Sequence, residues 1–351
     1  MKTLLQAEII RFRKQLLQWH KKDNKRSMPW KGIKNPYFIW LSEIILQQTR
    51  VEQGLAYYER FIQRFPTLAD LAQADEAVVF NLWQGLGYYS RCRNLIKAAK
   101  LISESHEGVF PRTYDDLRAL PGVGDYTAAA IASFAFKAPY AAVDGNVIRI
   151  LSRYMASSET PSTQAGKRFY NELAQQLVSQ DAADLFNQAM MDLGATVCTP
   201  NQPQCPRCPL RADCRALKSE QTNAFPVKKK KNPLKHRHFH FGVFSNRTHI
   251  ALIRRKSGDI WAGLYTPWLI EGEVQMPSWP NNRAFSGKQA KPEMLQQVLS
   301  HQKIFGYFYS FPDPGKAFLS EHELLWVPKK SLSELAFPRM VLVFLKNSDY
   351  L

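Results

Sequence analysis

Apolar positions recur at helical spacing through the first two thirds of this chain and switch to alternation in the last third. The opening MKTLLQAEIIRFRKQLLQWHKK breaks its apolar residues with Glu8, Arg11, Arg13 and Lys14, which predicts an amphipathic helix rather than a signal peptide. Two proline-marked turns, Met28-Pro29-Trp30 and Asn35-Pro36-Tyr37, precede a predicted helix over 37–53. Further helices are predicted over 55–64, 74–82, 94–105, 113–119, 125–136, 147–155, 163–178 and 182–194. HFHFGVF at 238–244, THIALIRR at 248–255 and LLWV at 324–327 read as strands, with helices expected near 292–300 and at the C-terminus. The pattern thus predicts a mostly α region over 1–222, a basic linker over 223–235 (NAFPVKKKKNPLK) and an α+β domain over 236–351.

Composition adds a partner. The 351 residues include 47 basic and 30 acidic ones, a formal charge of +17, and each of the three segments is basic on its own. An excess of that size favours a polyanion. No apolar run approaches the ~18 residues of a membrane span, so no membrane is expected and a cytoplasmic, reducing location is the default. Nothing in the pattern calls for more than a monomer.

Candidate chemistry gathers in four places. In LPGVGDYTAAAIASFAFKAPYAAVDGN (120–146), Pro121, Gly122 and Gly124 suit a tight hairpin whose bare backbone N–H groups open a helix, a place where a phosphate can dock. The same stretch ends on Asp144, which either faces a substrate or simply caps the next helix. Glu43 lies among Ile39, Leu41, Ile44, Ile45 and Leu46, and on a helix it shares a face with Ile39 and Leu46. A carboxyl turned to that side would hold its proton as a general acid does; one turned to solvent would not. In QGLGYYSRCRNL (84–95), Tyr88, Tyr89, Arg91 and Arg93 form an aromatic and basic cluster suited to wedging between bases, or to closing a helix start. Cys198, Cys205, Cys208 and Cys214 make a C-x6-C-x2-C-x5-C array that reads as a soft-metal site, iron–sulfur or zinc. Cys92 stands apart and reads as a packed thiol.

Six separated blocks, RSMPW (26–30), SEIILQQTRV (42–51), GLGYYSRCRNL (85–95), LPGVGDYTAAAI (120–131), VDGNV (143–147) and FNQAMMDLGATVC (186–198), together resemble the MutY-type adenine DNA glycosylases. These belong to the helix-hairpin-helix glycosylases related to endonuclease III. The resemblance implies a catalytic region carrying the hairpin and one 4Fe-4S cluster on Cys198, Cys205, Cys208 and Cys214, followed by a Nudix-like domain, recognisable in IWAGLYTPW at 260–268. It makes Glu43 the acid that protonates adenine and Asp144 the carboxylate facing the sugar, with Tyr126 and Asn146 supporting the reaction centre. Gln48 and Tyr88 match residues inserted into the base stack beside 8-oxoguanine; Arg26, Trp30 and Gln188 match positions lining the adenine site; Gly122 and Gly124 match the hairpin that holds DNA.

The implied activity is hydrolysis of the N-glycosidic bond of adenine opposite 8-oxoguanine or guanine in double-stranded DNA. Endonuclease III-type lyases carry a Schiff-base lysine as the seventh residue of the hairpin motif, and here that residue is Tyr126, so a monofunctional enzyme is expected. The family's lesion-reading Phe-Ser-His finds its nearest match in Phe305-Gly306-Tyr307, with His301 close by. Two other readings compete: an endonuclease III-type pyrimidine glycosylase and lyase, and a non-catalytic iron–sulfur protein that senses DNA damage.

Overall fold

The computed structural model describes residues 4–229, 233–273 and 292–351; part of the predicted basic linker, Lys230, Lys231 and Asn232, lies outside them. The chain forms two compact units, one made of residues 1–72 with 97–230, the other of 73–96 with 231–351. Residues 73–96 therefore group with the C-terminal part of the chain. Their side chains explain it: Asn81 donates to the Ser333 carbonyl at 2.7 Å and Arg93 to the Ala262 carbonyl at 2.7 Å.

The first unit is helical. In chain order it runs α1 (Gln6–Lys22), α2 (Pro36–Leu46), α3 (Val51–Arg64) and α4 (Leu68–Gln73); α5 (Glu76–Trp83) and the start of α6 (Tyr89–Ser105) belong to the second unit. The first unit resumes with α7 (Tyr114–Ala119), α8 (Asp125–Phe136), α9 (Gly145–Met155), α10 (Gln164–Leu177), α11 (Ala183–Thr196) and the short α12 (Arg215–Lys218). One core joins α1, α9, α10 and α11 through Phe12, Leu16, Tyr154, Tyr170 and Phe186, with Phe12 edge-on to Tyr154 at 5.0 Å. Another packs α2 against α3 and α8, with Trp40 and Phe61 fully buried.

Local chemistry sets the element ends. The side chain of Asn35 accepts from the Tyr37 N–H and Pro36 opens α2, a regular N-terminus. The helix predicted over 37–53 is two: α2 stops at Leu46, Gln48 takes a left-handed φ of 56°, and α3 starts at Val51. Leu120-Pro121-Gly122-Val123 forms a turn closed by Val123 N–H on the Leu120 carbonyl at 3.1 Å, and Gly122 supplies the φ of 77° that its third position requires.

The second unit carries β1 (Lys235–Phe244), β2 (His249–Arg254), β3 (Tyr265–Thr266), β4 (Trp268–Gly272), β5 (Glu293–Val298), β6 (Gln302–Phe311), α13 (Lys316–Glu321), β7 (Leu325–Pro328) and α14 (Arg339–Asn347). A four-stranded sheet has the order β4-β1-β6-β5, with β1 and β6 parallel at its centre; a second sheet has the order β3-β2-β7. Alternation along β1 turns Phe239 and Phe241 to one face, where Phe241 stacks on Phe308 at 4.4 Å and Phe308 on Phe344 of α14 at 4.2 Å. His238 and His240 turn to the other face, stacked between Phe305, Tyr307 and Tyr309. The helix expected near 292–300 is instead edge strand β5. Its glutamate, methionine, leucine and glutamines favour a helix, but backbone pairing to β6 over Glu293–Val298 overrides that preference.

Candidate active site

A cleft of ≈ 990 Å³ opens in the helical unit, lined by Arg26, Trp30, Lys31, Glu43, Gln48, Gly122, Gly124, Tyr126, Asp144, Asn146 and Gln188 among others. Glu43 comes from the last turns of α2, and Tyr126 comes from the first turn of α8, where the glycine hairpin delivers it. The Tyr126 hydroxyl donates to the Glu43 carboxyl. Burial pushes Glu43 up to about 7, against the pull of that hydrogen bond, and the neighbouring Asp144 raises it further. The group is therefore poised to hold and release a proton near neutrality.

Asp144 is the N-cap of α9. One carboxylate oxygen accepts the Val147 N–H at 2.8 Å and the other accepts Asn146 Nδ2 at 2.7 Å. Burial raises Asp144 above the ordinary carboxylate range while these donors and the Arg149 charge pull it down. The capping role and the place in the cleft coincide: the helix N-terminus that satisfies Asp144 also aims it. Asn146 is held in turn, its Oδ1 accepting Arg149 Nη2 at 2.7 Å, and Arg149 also donates to the Gly194 carbonyl at 2.8 Å and to the Cys198 carbonyl at 2.8 Å. Gly194 is required by proximity, since a Cβ there would lie 2.5 Å from the Asn146 Cβ.

The lining residues Arg26, Lys31 and Gln188 converge on Asp192 of α11, whose carboxylate is fully buried. Oδ1 accepts Arg26 Nη1 at 2.9 Å and Gln188 Nε2 at 3.1 Å; Oδ2 accepts Asn24 Nδ2 at 2.7 Å and Lys31 Nζ at 2.9 Å. Trp30 is edge-on to Tyr58 at 5.4 Å.

The four cysteines of the array line one apolar pocket with Ile150, Tyr154, Leu210 and Leu217. Among the described residues no three histidine, cysteine, aspartate or glutamate side chains sit close enough for a single metal ion. Burial disfavours the thiolates of Cys208 and Cys214, the N–H groups of Leu210, Ala216 and Leu217 favour them, and Arg153 Nη1 donates to Cys198 Sγ at 3.3 Å. An apolar pocket with donors aimed at sulfur fits a cationic iron core bound by thiolates.

The model of the HhH-GPD superfamily of base excision DNA repair proteins matches residues 41–176. An adenine DNA glycosylase of Buchnera aphidicola subsp. Schizaphis graminum is 30% identical over 342 residues, covering 94% of this chain and 96% of that protein. The chain belongs to the adenine DNA glycosylase family. A Rattus norvegicus member is 47% identical over 219 residues, which cover 60% of this chain and 42% of that one, so the chain spans less than half the length of this longer relative. Among solved structures, a thermostable thymine-DNA glycosylase superposes with a TM-score of 0.56 at 27% identity, covering 61% of this chain and 98% of its own. A non-covalent endonuclease III–DNA complex, at 22% identity and a TM-score of 0.53, shares the fold of the helical region.

Within this family frame, the structure brings Glu43, Tyr126, Asp144, Asn146, Arg26, Trp30, Gln48, Gly122, Gly124 and Gln188 to one cleft. Tyr88 belongs to the second unit; like Gln48 it is exposed and holds a left-handed φ, 47° against 56°. Such backbone is uncommon for a non-glycine side chain and marks a specified presentation. Phe305 and Tyr307 stand outside any loop. They lie mid-strand in β6, Tyr307 buried with its hydroxyl 3.0 Å from His238 Nδ1 and Phe305 stacked on His238 at 4.9 Å, and Gly306 between them faces Met340 and Phe241. The exposed serine–histidine pair is Ser300-His301, in the turn between β5 and β6, and the Ser300 hydroxyl meets the Tyr88 hydroxyl at 2.6 Å. Sequence reasoning missed Asp192, Arg149, Gly194 and Ser300. Asp192 had a signal: it is an acid four residues after Gln188 within a matched block, one helical turn away.

Proposed function

We propose that the protein is a monofunctional base-excision glycosylase that hydrolyses the N-glycosidic bond of adenine mispaired with 8-oxoguanine or guanine in double-stranded DNA. The observation that carries this reading is a proton-holding carboxyl, Glu43, and a hydrogen-bonded carboxylate, Asp144, in one cleft with a wall of amide and guanidinium groups. Adenine departs poorly as an anion. Glu43, oriented by the Tyr126 hydroxyl, gives its proton to the base so that it leaves neutral, and Asp144 stabilises the positive charge that develops on the deoxyribose. Asn146 and Arg149 keep Asp144 turned to the sugar. The base reaches the cleft by leaving the stack, at a cost of a few kcal/mol that Gln48 and Tyr88 offset by filling the gap.

Tyr126 stands where a Schiff-base lysine would be needed for a lyase, which argues against the endonuclease III-type reaction. Cys198, Cys205, Cys208 and Cys214 would hold a 4Fe-4S cluster, which when bound shapes the loop that offers Arg207, Arg211 and Arg215 to phosphates. Lesion reading is assigned to Tyr88 with the Leu299–His301 turn, in place of Phe305 and Tyr307. A single-turnover assay of adenine release from duplexes with adenine opposite 8-oxoguanine, guanine or thymine tests the reading: release from the first two and not the third is expected, and no release from any refutes it. Iron and zinc analysis of the purified protein tests the cluster separately.

A further inference from the structure

The donor set of Asp192 fixes more than charge. Its carboxylate is fully buried and ion-paired to Arg26 and Lys31, so it offers acceptors alone to Gln188, one turn away on α11. The amide of Gln188 can meet it only through Nε2, as it does at 3.1 Å, and Oε1 is then the atom left to the cleft that Gln188 lines. Adenine carries a donor at its 6-position, the exocyclic amine; a 6-oxopurine carries an acceptor there. An oxygen held at the wall welcomes the first and opposes the second.

We propose that Asp192 is a positioning residue for base choice: it locks the Gln188 amide with its oxygen toward the cleft, so that a 6-aminopurine is accepted and a 6-oxopurine is refused. The assignment rests on purine excision as read above and adds the atom that discriminates. A site built around one fixed hydrogen-bond polarity rejects the opposite polarity because a buried group is left unpaired. Asparagine in place of Asp192 would offer both donor and acceptor, and the Gln188 amide could then turn over.

The test compares single-turnover release of adenine and of hypoxanthine, its 6-oxo analogue, each opposite 8-oxoguanine, by the full chain. Adenine release by the wild type separately checks the underlying reading of function. The wild type is expected to favour adenine strongly, and D192N to narrow the adenine-to-hypoxanthine ratio by roughly tenfold or more, the size of one mismatched hydrogen bond. Q188L should narrow it equally, and the double variant no further, because the two act through one contact. D192E keeps an acceptor-only group and should keep the wild-type ratio even where its rates fall; with Q188L it decides the matter if D192N fails to fold. A wild type without preference, a ratio unmoved in Q188L or in folded D192N, or a ratio lost in D192E would each overturn the proposal. A merely structural role for Asp192 would slow both bases alike and leave the ratio unmoved.

Discussion

Around the cleft of the helical unit the charged groups are held by partners: the fully buried Asp192 carries Arg26 and Lys31, and Asp144 leans on Asn146 and Arg149. In the sheet unit the deepest groups are rings, Phe241 on Phe308 on Phe344, with His240 fully buried beneath Tyr307 and Tyr309. Each charged group near the cleft depends on a particular partner atom, because an unpaired buried charge is costly. The rings depend on area and fit. Loss of one polar partner should therefore be read in the reaction as well as in stability, and loss of one ring in stability alone.

The sharpest way to break that contrast is at the carboxyls. Asp144→Asn and Glu43→Gln should each lower the single-turnover rate by about 10³-fold or more while the protein still binds duplex DNA and melts as a folded domain. A variant that keeps within tenfold of wild-type activity removes its residue from the chemistry. At the opposite pole, Phe308→Ala removes a ring held between Phe241 and Phe344 and should cost about 3–5 kcal/mol of stability in denaturant melts. The same variant should leave the rate on a saturating substrate nearly unchanged at a temperature where it is folded.

The pH dependence separates the two carboxyls. Glu43, raised to about 7, must be protonated to act, so the single-turnover rate should fall as pH climbs past about 7. Asp144 must be ionised, and because its value is raised, the acid limb should lie above the usual carboxylate range. Stability follows the same proton. The folded protein holds it more tightly than the unfolded chain, so stability falls between the ordinary glutamate range and about pH 7; Glu43→Gln escapes this and should gain about 2–3 kcal/mol over wild type at pH 8. Equal stability of the two proteins at pH 8 would show that Glu43 is not desolvated.

Much of this was legible before any coordinates, for reasons that differ by residue. The glycine hairpin was readable because a proline and a positive-φ glycine have few other uses in that order. Glu43 was readable because an acid inside an apolar helix face is rare and has to be explained. Helix α8 was predicted over its observed span, yet the end of α2 was not, since nothing in Gln47-Gln48-Thr49 announces a left-handed residue. Strand β5 was read as a helix because its side chains prefer one, and only its partner β6 makes it a strand. Asp192 is less legible for a related reason: beyond its spacing from Gln188, its role rests on Asn24, Arg26 and Lys31, remote in sequence, converging on it.

The smallest expected effect concerns an exposed polar contact in the sheet unit, between Tyr88 and Ser300. Tyr88 is 47% exposed, held at a left-handed φ, and its hydroxyl meets that of Ser300 in the β5–β6 turn at 2.6 Å. A hydrogen bond between two exposed hydroxyls contributes about 1 kcal/mol or less. Tyr88→Phe and Ser300→Ala should therefore leave the melting temperature within a degree or two. If the contact sets Tyr88 for the lesion, each variant should lower the preference for adenine opposite 8-oxoguanine over adenine opposite guanine by no more than about fivefold, through the 8-oxoguanine rate alone. The double variant should lose no more than either single one, because both remove the same bond. Additive losses would mean that Tyr88 and Ser300 meet DNA independently, and a change in the guanine rate of equal size would mean that the pair supports the unit rather than reads the lesion.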